Sequence, residues 1–239
     1  PTPRVLGSGA ELGGHDLGWL VIERLEGKTV AGDLTERSMT GLLNAAVEFQ
    51  ARADAQGIAM GEPPGTPDWS GALEQSKVWV RDNPIDEAKR WKKAIGAAHK
   101  TLPVALSKWE SRSINTWCHG DLHPGNAMHM EPHSDHPDRC VLIDLALVHA
   151  GHWVEDAVYL EHLFWGHEEK LFGIKPVRQM RKLRKERGLA VEEHDSELAD
   201  IKRMLMAACA PSFFGVEGDS KYLSRALELT ERISSKLLG

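Results

Sequence analysis

The chain has 239 residues, 41% of them hydrophobic, and a formal net charge of −6. That is enough apolar material for a true core, and the mild acidity gives no field that would gather nucleic acid or an anionic membrane surface. No run of about 18 apolar residues occurs, so no membrane-spanning helix is expected.

Residues 4–7 and 18–24 read as two strands, joined by a glycine-rich turn over 7–14, with Glu26-Gly27 closing the second strand. Asp33 and Glu36 form a D-x-x-E capping signature. The helix it opens runs to about residue 55, with Met39, Leu42, Leu43, Ala46 and Phe49 on one face and Gly57 as its stop. A loop over 61–71 leads to a short helix over 72–80. Asn83-Pro84 reads as the cap and first position of the next helix, whose apolar face is Ile85, Ala88, Trp91, Ile95 and Ala98. Pro103 interrupts that helix or starts another. Residues 114–118, 127–130 and 140–145 are short apolar segments that read as small strands. After Trp153 the pattern is helical again. Leu198, Ile201, Leu205 and Ala208 share one face, and Tyr222, Leu223, Ala226, Thr230 and Ile233 another. The expected fold is α+β and predominantly helical, with a hairpin at the start and a small central sheet. Cys118, Cys140 and Cys209 are too few and too scattered for a disulfide framework or a zinc knuckle, and read as buried thiols of a cytoplasmic protein.

The centre holds the chemistry. His119-Gly120-Asp121-Leu122-His123-Pro124-Gly125-Asn126 is followed by Val141-Leu142-Ile143-Asp144, a pattern H-x-D-x-x-x-x-N with an apolar strand ending in Asp. Phosphoryl transfer asks a protein mainly for positioning and charge neutralisation. Asp121, where strand gives way to loop, suits the base that takes the proton of an attacking hydroxyl. Asn126 and Asp144 offer two hard oxygen ligands for Mg²⁺, and Pro124-Gly125 supplies the turn that brings Asn126 back toward Asp121. Two other readings stand beside this one. The three residues could be plain polar turn residues, or His119, Asp121 and His123 could form an H-x-D-x-H metal site of a hydrolase. His129, His133 and His136 fall in a polar hairpin turn and read as solvent-exposed.

The stretch HGDLHPGN with its later Ile-Asp resembles the aminoglycoside phosphotransferase and choline kinase-like family, distant relatives of the protein kinases. Pro3-Arg4-Val5-Leu6 and Val21-Ile22-Glu23-Arg24-Leu25-Glu26-Gly27 look like the last two strands of that family's amino-terminal lobe, the second running into the hinge. Gly151-His152-Trp153-Val154-Glu155-Asp156-Ala157 looks like the glycine and helix-opening Asp that follow the metal-binding Asp. The resemblance implies a protein kinase-like carboxy-terminal lobe over 28–239, preceded by a residual amino-terminal-lobe hairpin and hinge over 1–27. It implies ATP and Mg²⁺, with Asp121 as catalytic base, Asn126 and Asp144 as metal ligands, and the backbone of Glu23, Arg24 and Leu25 binding adenine. Asp156 would brace the catalytic loop, under which His119 packs. Gly120 stands where protein kinases have Arg and no A-P-E segment follows Asp144, so the expected acceptor is a small-molecule hydroxyl rather than a protein.

The family's glycine-rich loop, lysine and partner Glu have no counterpart here, and Lys28 lies past the hinge. The expectation is therefore a fragment of a longer product or a truncated relative, with a non-catalytic nucleotide- or metabolite-binding module as the alternative. An open hairpin edge would then favour pairing with a second copy. Two charged groups complete the reading. Arg178, Arg181, Lys182, Arg184, Lys185 and Arg187 read as a solvated helix face, with a partner-binding patch as the alternative. Glu155, Glu161, Glu168 and Glu169 are either a surface or a cradle for a cationic acceptor.

Overall fold

The computed structural model describes residues 1–130, 139–214 and 219–238. Strands β1 (Val5–Leu12) and β2 (His15–Ile22) form an antiparallel hairpin that pairs with no other described strand. Its turn is only Gly13-Gly14, at φ 61° and 81°. Two successive positive φ angles match the twist of a two-residue hairpin turn. The expected turn over 7–14 was therefore too wide. Gly9 belongs to β1 and makes room for Trp19, whose indole nitrogen would lie 2.6 Å from a Cβ there. That nitrogen donates to the Glu11 carbonyl at 2.8 Å. Val5, Leu6, Leu12, Leu17, Leu20, Val21 and Ile22 are all at least 47% exposed, so the ribbon stands clear of the core.

Strand β3 (Lys28–Thr29) and a 3-10 turn over Val30–Asp33 lead to helix α1 (Glu36–Ala55). Its cap is Thr35 rather than Asp33, because the 3-10 turn already uses Asp33. The Ser38 N–H donates to Thr35 Oγ1 at 3.1 Å and the Thr35 N–H to Ser38 Oγ at 2.9 Å, a complete capping box. Helix α2 (Trp69–Asp82) begins earlier than its apolar pattern suggests, because Asp68 accepts from the Gly71 N–H at 2.9 Å. Asn83 closes α2 instead of opening α3, donating its amide and its backbone N–H to the Trp79 carbonyl. Helix α3 (Ala88–Glu110) runs unbroken through Pro103. A proline inside a helix costs about 3 kcal/mol. Burial of Trp91, Ile95, Leu102 and Trp109 along one face outweighs it, at about 1.5–3 kcal/mol for a large apolar side chain.

The central strands make two sheets rather than one. Strands β5 (Ala127–Met130) and β6 (Arg139–Leu142) pair with β3 in the order β3-β5-β6, while β4 (Thr116–Cys118) pairs with β7 (His149–Gly151). His129 lies in β5, opposite Cys140, not in a turn; His133 and His136 lie outside the described residues. Helices α4 (Val154–His162), α5 (Pro176–Glu186), α6 (Asp195–Phe214) and α7 (Ser220–Leu238) complete the lobe. Leu198, Ile201, Leu205 and Ala208 are buried, as are Leu223, Ala226, Thr230 and Ile233, so both helical stripes face the core. The basic run of α5 is not wholly a solvated face: Arg184 is 2% exposed and donates to Gln50 Oε1 at 2.6 Å and to the Ala190 carbonyl. No helix among the described residues is long and apolar enough to cross a membrane.

Candidate active site

The loop between β4 and β5 carries the central motif, and two elements clamp it. Gly120 sits at φ 83°, where a Cβ would fall 2.1 Å from the Leu147 carbonyl oxygen, so only glycine fits. From the first turn of α4, the buried Asp156 accepts the backbone N–H of His119 at 2.9 Å and of Gly120 at 3.0 Å. His119 is fully buried. Its Nε2 lies 3.0 Å from the Ile143 carbonyl and therefore donates, leaving Nδ1 to accept the Asp121 N–H at 3.3 Å. The imidazole thus ties the Asp121 loop to the strand that leads to Asp144.

The Asp121 carboxylate is part-buried and held on both oxygens. Tyr159 donates its hydroxyl to Oδ1 at 2.5 Å. Asn126 donates its amide N–H to Oδ2 at 2.8 Å and to the Asp121 carbonyl at 3.1 Å. His123 Nε2 lies 3.5 Å from Oδ2. The Tyr159 hydrogen bond, followed by His123 and Asn126, keeps the carboxyl below its usual range in spite of partial burial. His123 has a second task, since its Nδ1 accepts the Gly125 N–H at 2.9 Å and caps the short turn Pro124–Asn126.

Asn126 is buried with its amide nitrogen turned to Asp121, and no described hydrogen bond uses its amide oxygen. Its carbonyl accepts the Ile143 N–H at 3.0 Å, which fastens the residue before Asp144 directly beside it. Asp144 itself is exposed and left-handed, at φ 56°. This conformation is uncommon for a residue with a side chain, and it ends β6 before the expected boundary. A spare amide oxygen just before β5 and an exposed carboxylate just after β6 are the donor types that Mg²⁺ takes, so the residues present fit that ion.

Residues 23–27 link β2 to β3, and β3 pairs Lys28 with His129 and Thr29 with Met128. That pairing sets the segment beside the β5–β6 hairpin. The Glu23 N–H donates to the Arg4 carbonyl at 2.9 Å, while no described hydrogen bond engages the backbone of Arg24 or Leu25.

The hydrolase-type metal triad of His119, Asp121 and His123 does not form. Both ring nitrogens of His119 and one of His123 are spent on internal hydrogen bonds, and His119 has no exposed edge. Among the described residues a different trio, Cys118, His149 and Glu155, comes close enough to share an ion. There Arg112 Nε lies 3.1 Å from Glu155, and burial drives the Cys118 thiol pKa up, so the trio is better suited to bracing β4, β7 and α4. The acidic residues after Asp144 are likewise engaged: Glu155 with Arg112, Glu161 bidentately with Arg203 at 2.7 Å, Glu168 with Arg225 at 2.8 Å, and Glu169 facing His167 at 3.4 Å. Glu155 and Glu161 are thus paired with arginines and little exposed, whereas Glu168 and Glu169 stay largely open to solvent.

Tyr159 went unnoticed in the sequence. It lies 38 positions from Asp121 on an amphipathic helix, where a tyrosine looks like ordinary packing. The available signal was its spacing of three from Asp156, which puts both side chains on one helix face.

A family model described as the phosphotransferase enzyme family matches residues 1–171. No curated protein matches the chain. Among solved structures, an aminoglycoside phosphotransferase from Alicyclobacillus acidocaldarius is similar at a TM-score of 0.56 and 14% identity, over 99% of this chain and 76% of that one. A choline kinase from Cryptosporidium parvum matches at a TM-score of 0.52 and 11% identity, over 99% and 74%. A choline/ethanolamine kinase family protein from Mesorhizobium loti matches at 0.51 and 12%, over 97% and 79%. At such identities these likenesses speak for the kinase-like fold alone. The matched stretch, in contrast, takes in the hairpin, the Asp121 loop and all of α4, and by it the chain belongs to the phosphotransferase enzyme family.

Proposed function

We propose that the chain uses ATP and Mg²⁺ to phosphorylate a hydroxyl of a small molecule. The observation that carries this reading is the junction of Asp121 with Asn126 at 2.8 Å, beside the Asn126–Ile143 backbone bond that sets Asp144 next to them. Asp121 is the base: its carboxylate has about four lone-pair sites, so one can receive the acceptor's proton while its present partners stay in place. Asn126, through its amide oxygen, and Asp144 hold the metal. Bound Mg²⁺ supplies charge neutralisation at the phosphates. His119 and Asp156 keep the loop in register, and the backbone of Glu23, Arg24 and Leu25 takes the adenine. Residues 1–27 then form the nucleotide-side hairpin and hinge, and residues 28–239 the catalytic lobe. Three buried free cysteines suit a reducing cytoplasm.

The test is phosphate transfer from ATP to a panel that includes an aminoglycoside and choline, paired with calorimetry of ATP binding. Asp121→Ala should abolish transfer and leave binding within a few-fold of wild type. An unchanged transfer rate in that variant would remove the base assignment. ATP binding by wild type with no transfer to any acceptor would favour a non-catalytic module.

A further inference from the structure

Of the three groups that hold the Asp121 carboxylate, Asn126 and His123 belong to the same loop as Asp121. Tyr159 comes from α4, outside the loop, and its hydroxyl reaches Oδ1 at 2.5 Å. Asp156, three positions earlier on that helix, takes the His119 and Gly120 N–H groups. One face of α4 therefore grips the loop twice, by its backbone and by the carboxylate.

We propose that Tyr159 is a positioning residue for Asp121, fixing the carboxylate to α4 so that its remaining lone pairs point at the incoming hydroxyl. The inference rests on the phosphotransferase reading given above. The anchor is firm. Ala157, Val158 and Leu160 are fully buried, so α4 cannot roll without opening the core. The Tyr159 ring lies 4.9 Å from that of His162, which in turn packs edge-on against buried Trp165 at 5.9 Å. Burial, with the Asp121 hydrogen bond and charge, raises the phenol to about 12, so Tyr159 stays a donor and does not compete as a second base. Without its hydroxyl, the carboxylate keeps only partners from its own loop, and the side chain can rotate although Asp156 still holds the loop backbone. Such a loss falls on the chemical step and not on nucleotide binding.

Tyr159→Phe removes the hydroxyl and keeps the ring. Loss of one hydrogen bond to a charged group should lower kcat about tenfold, with the KM for ATP unchanged. The melting temperature should stay close to wild type. The assay uses MgATP with the best acceptor of the panel, or with water if none is turned over. A kcat within twofold of wild type, alongside an inactive Asp121→Ala control, would overturn this proposal and leave the proposed function standing. A fully active Asp121→Ala variant would overturn both. Crystal structures of wild type and Tyr159→Phe give a readout that needs no turnover. An Asp121 side chain in the same rotamer and equally ordered in both would contradict the positioning role, and a turned or disordered one would support it.

Discussion

Gly120 and Leu147 meet backbone to backbone, with the Leu147 carbonyl oxygen 2.1 Å from where a Cβ of residue 120 would sit. Neither partner is a flexible side-chain end that could step aside. The contact locks the turn before Asp121 to the short 3-10 segment Leu145–Leu147 that follows Asp144. A residue with a side chain at 120 must therefore move Asp121 or the segment that follows Asp144.

Gly120→Ala combines that collision with a positive φ of 83°. Strain of this kind costs of order 1–3 kcal/mol before the clash is counted. Urea unfolding should show a loss of at least about 2 kcal/mol, and the remaining folded protein should be nearly inactive. A variant as stable as wild type would mean that the loop is not held against Leu147.

Arg184→Ala should destabilise the fold by about 2–4 kcal/mol. The guanidinium is buried and donates to Gln50 and to the Ala190 carbonyl, both of which would lose their donor. Burial pulls the Arg184 pKa down to about 10, as expected for a cation taken out of water. Chemical denaturation measures the change. A loss of only about 0.5 kcal/mol, as at surface sites, would contradict an interior role.

Glu155 predicts how stability responds to acid. Burial alone raises its pKa, but His149, Arg112 and the His152 N–H more than reverse this and leave it at about 2. A carboxyl depressed from 4.5 to about 2 in the folded state stabilises the protein above its unfolded pKa. That stabilisation, roughly 3 kcal/mol at most, is lost as pH falls from 4.5 toward 2. Glu155→Gln should flatten this part of the acid limb in thermal melts recorded at successive pH values. An acid limb identical to wild type would show that the Arg112 and His149 contacts do not persist in solution.

Purified protein should carry less than stoichiometric zinc or iron by elemental analysis, because His119 has no ring nitrogen left for a metal. A full equivalent of either metal, lost in a His119→Ala or His123→Ala variant, would revive the triad.

The sequence made the central motif legible and hid much of what holds it in place. Asp121, Asn126 and Asp144 stood out by residue type and spacing, and the fold sets Asn126 against Asp121 and beside the Ile143-Asp144 segment. Helix existence was equally plain from apolar periodicity. Caps were harder: Asp33 and Thr35 both have oxygen side chains near the start of α1, and only the path of the 3-10 turn decides between them. Gly9 resembled turn glycine because sequence cannot show that Trp19 lies across it. Tyr159 and Arg184 were hidden for one shared reason. Each acts through a partner distant in sequence, 38 positions away for Asp121 and 134 for Gln50, and long-range pairing leaves no periodic trace.

Phosphate transfer from ATP, measured with Mg²⁺ and with EDTA in wild type and in Asp144→Ala, tests the central claim most directly. Wild type should transfer only when Mg²⁺ is present, and Asp144→Ala should lose at least about 100-fold of that rate. Equal rates in EDTA, or an Asp144→Ala variant as fast as wild type, would contradict the account.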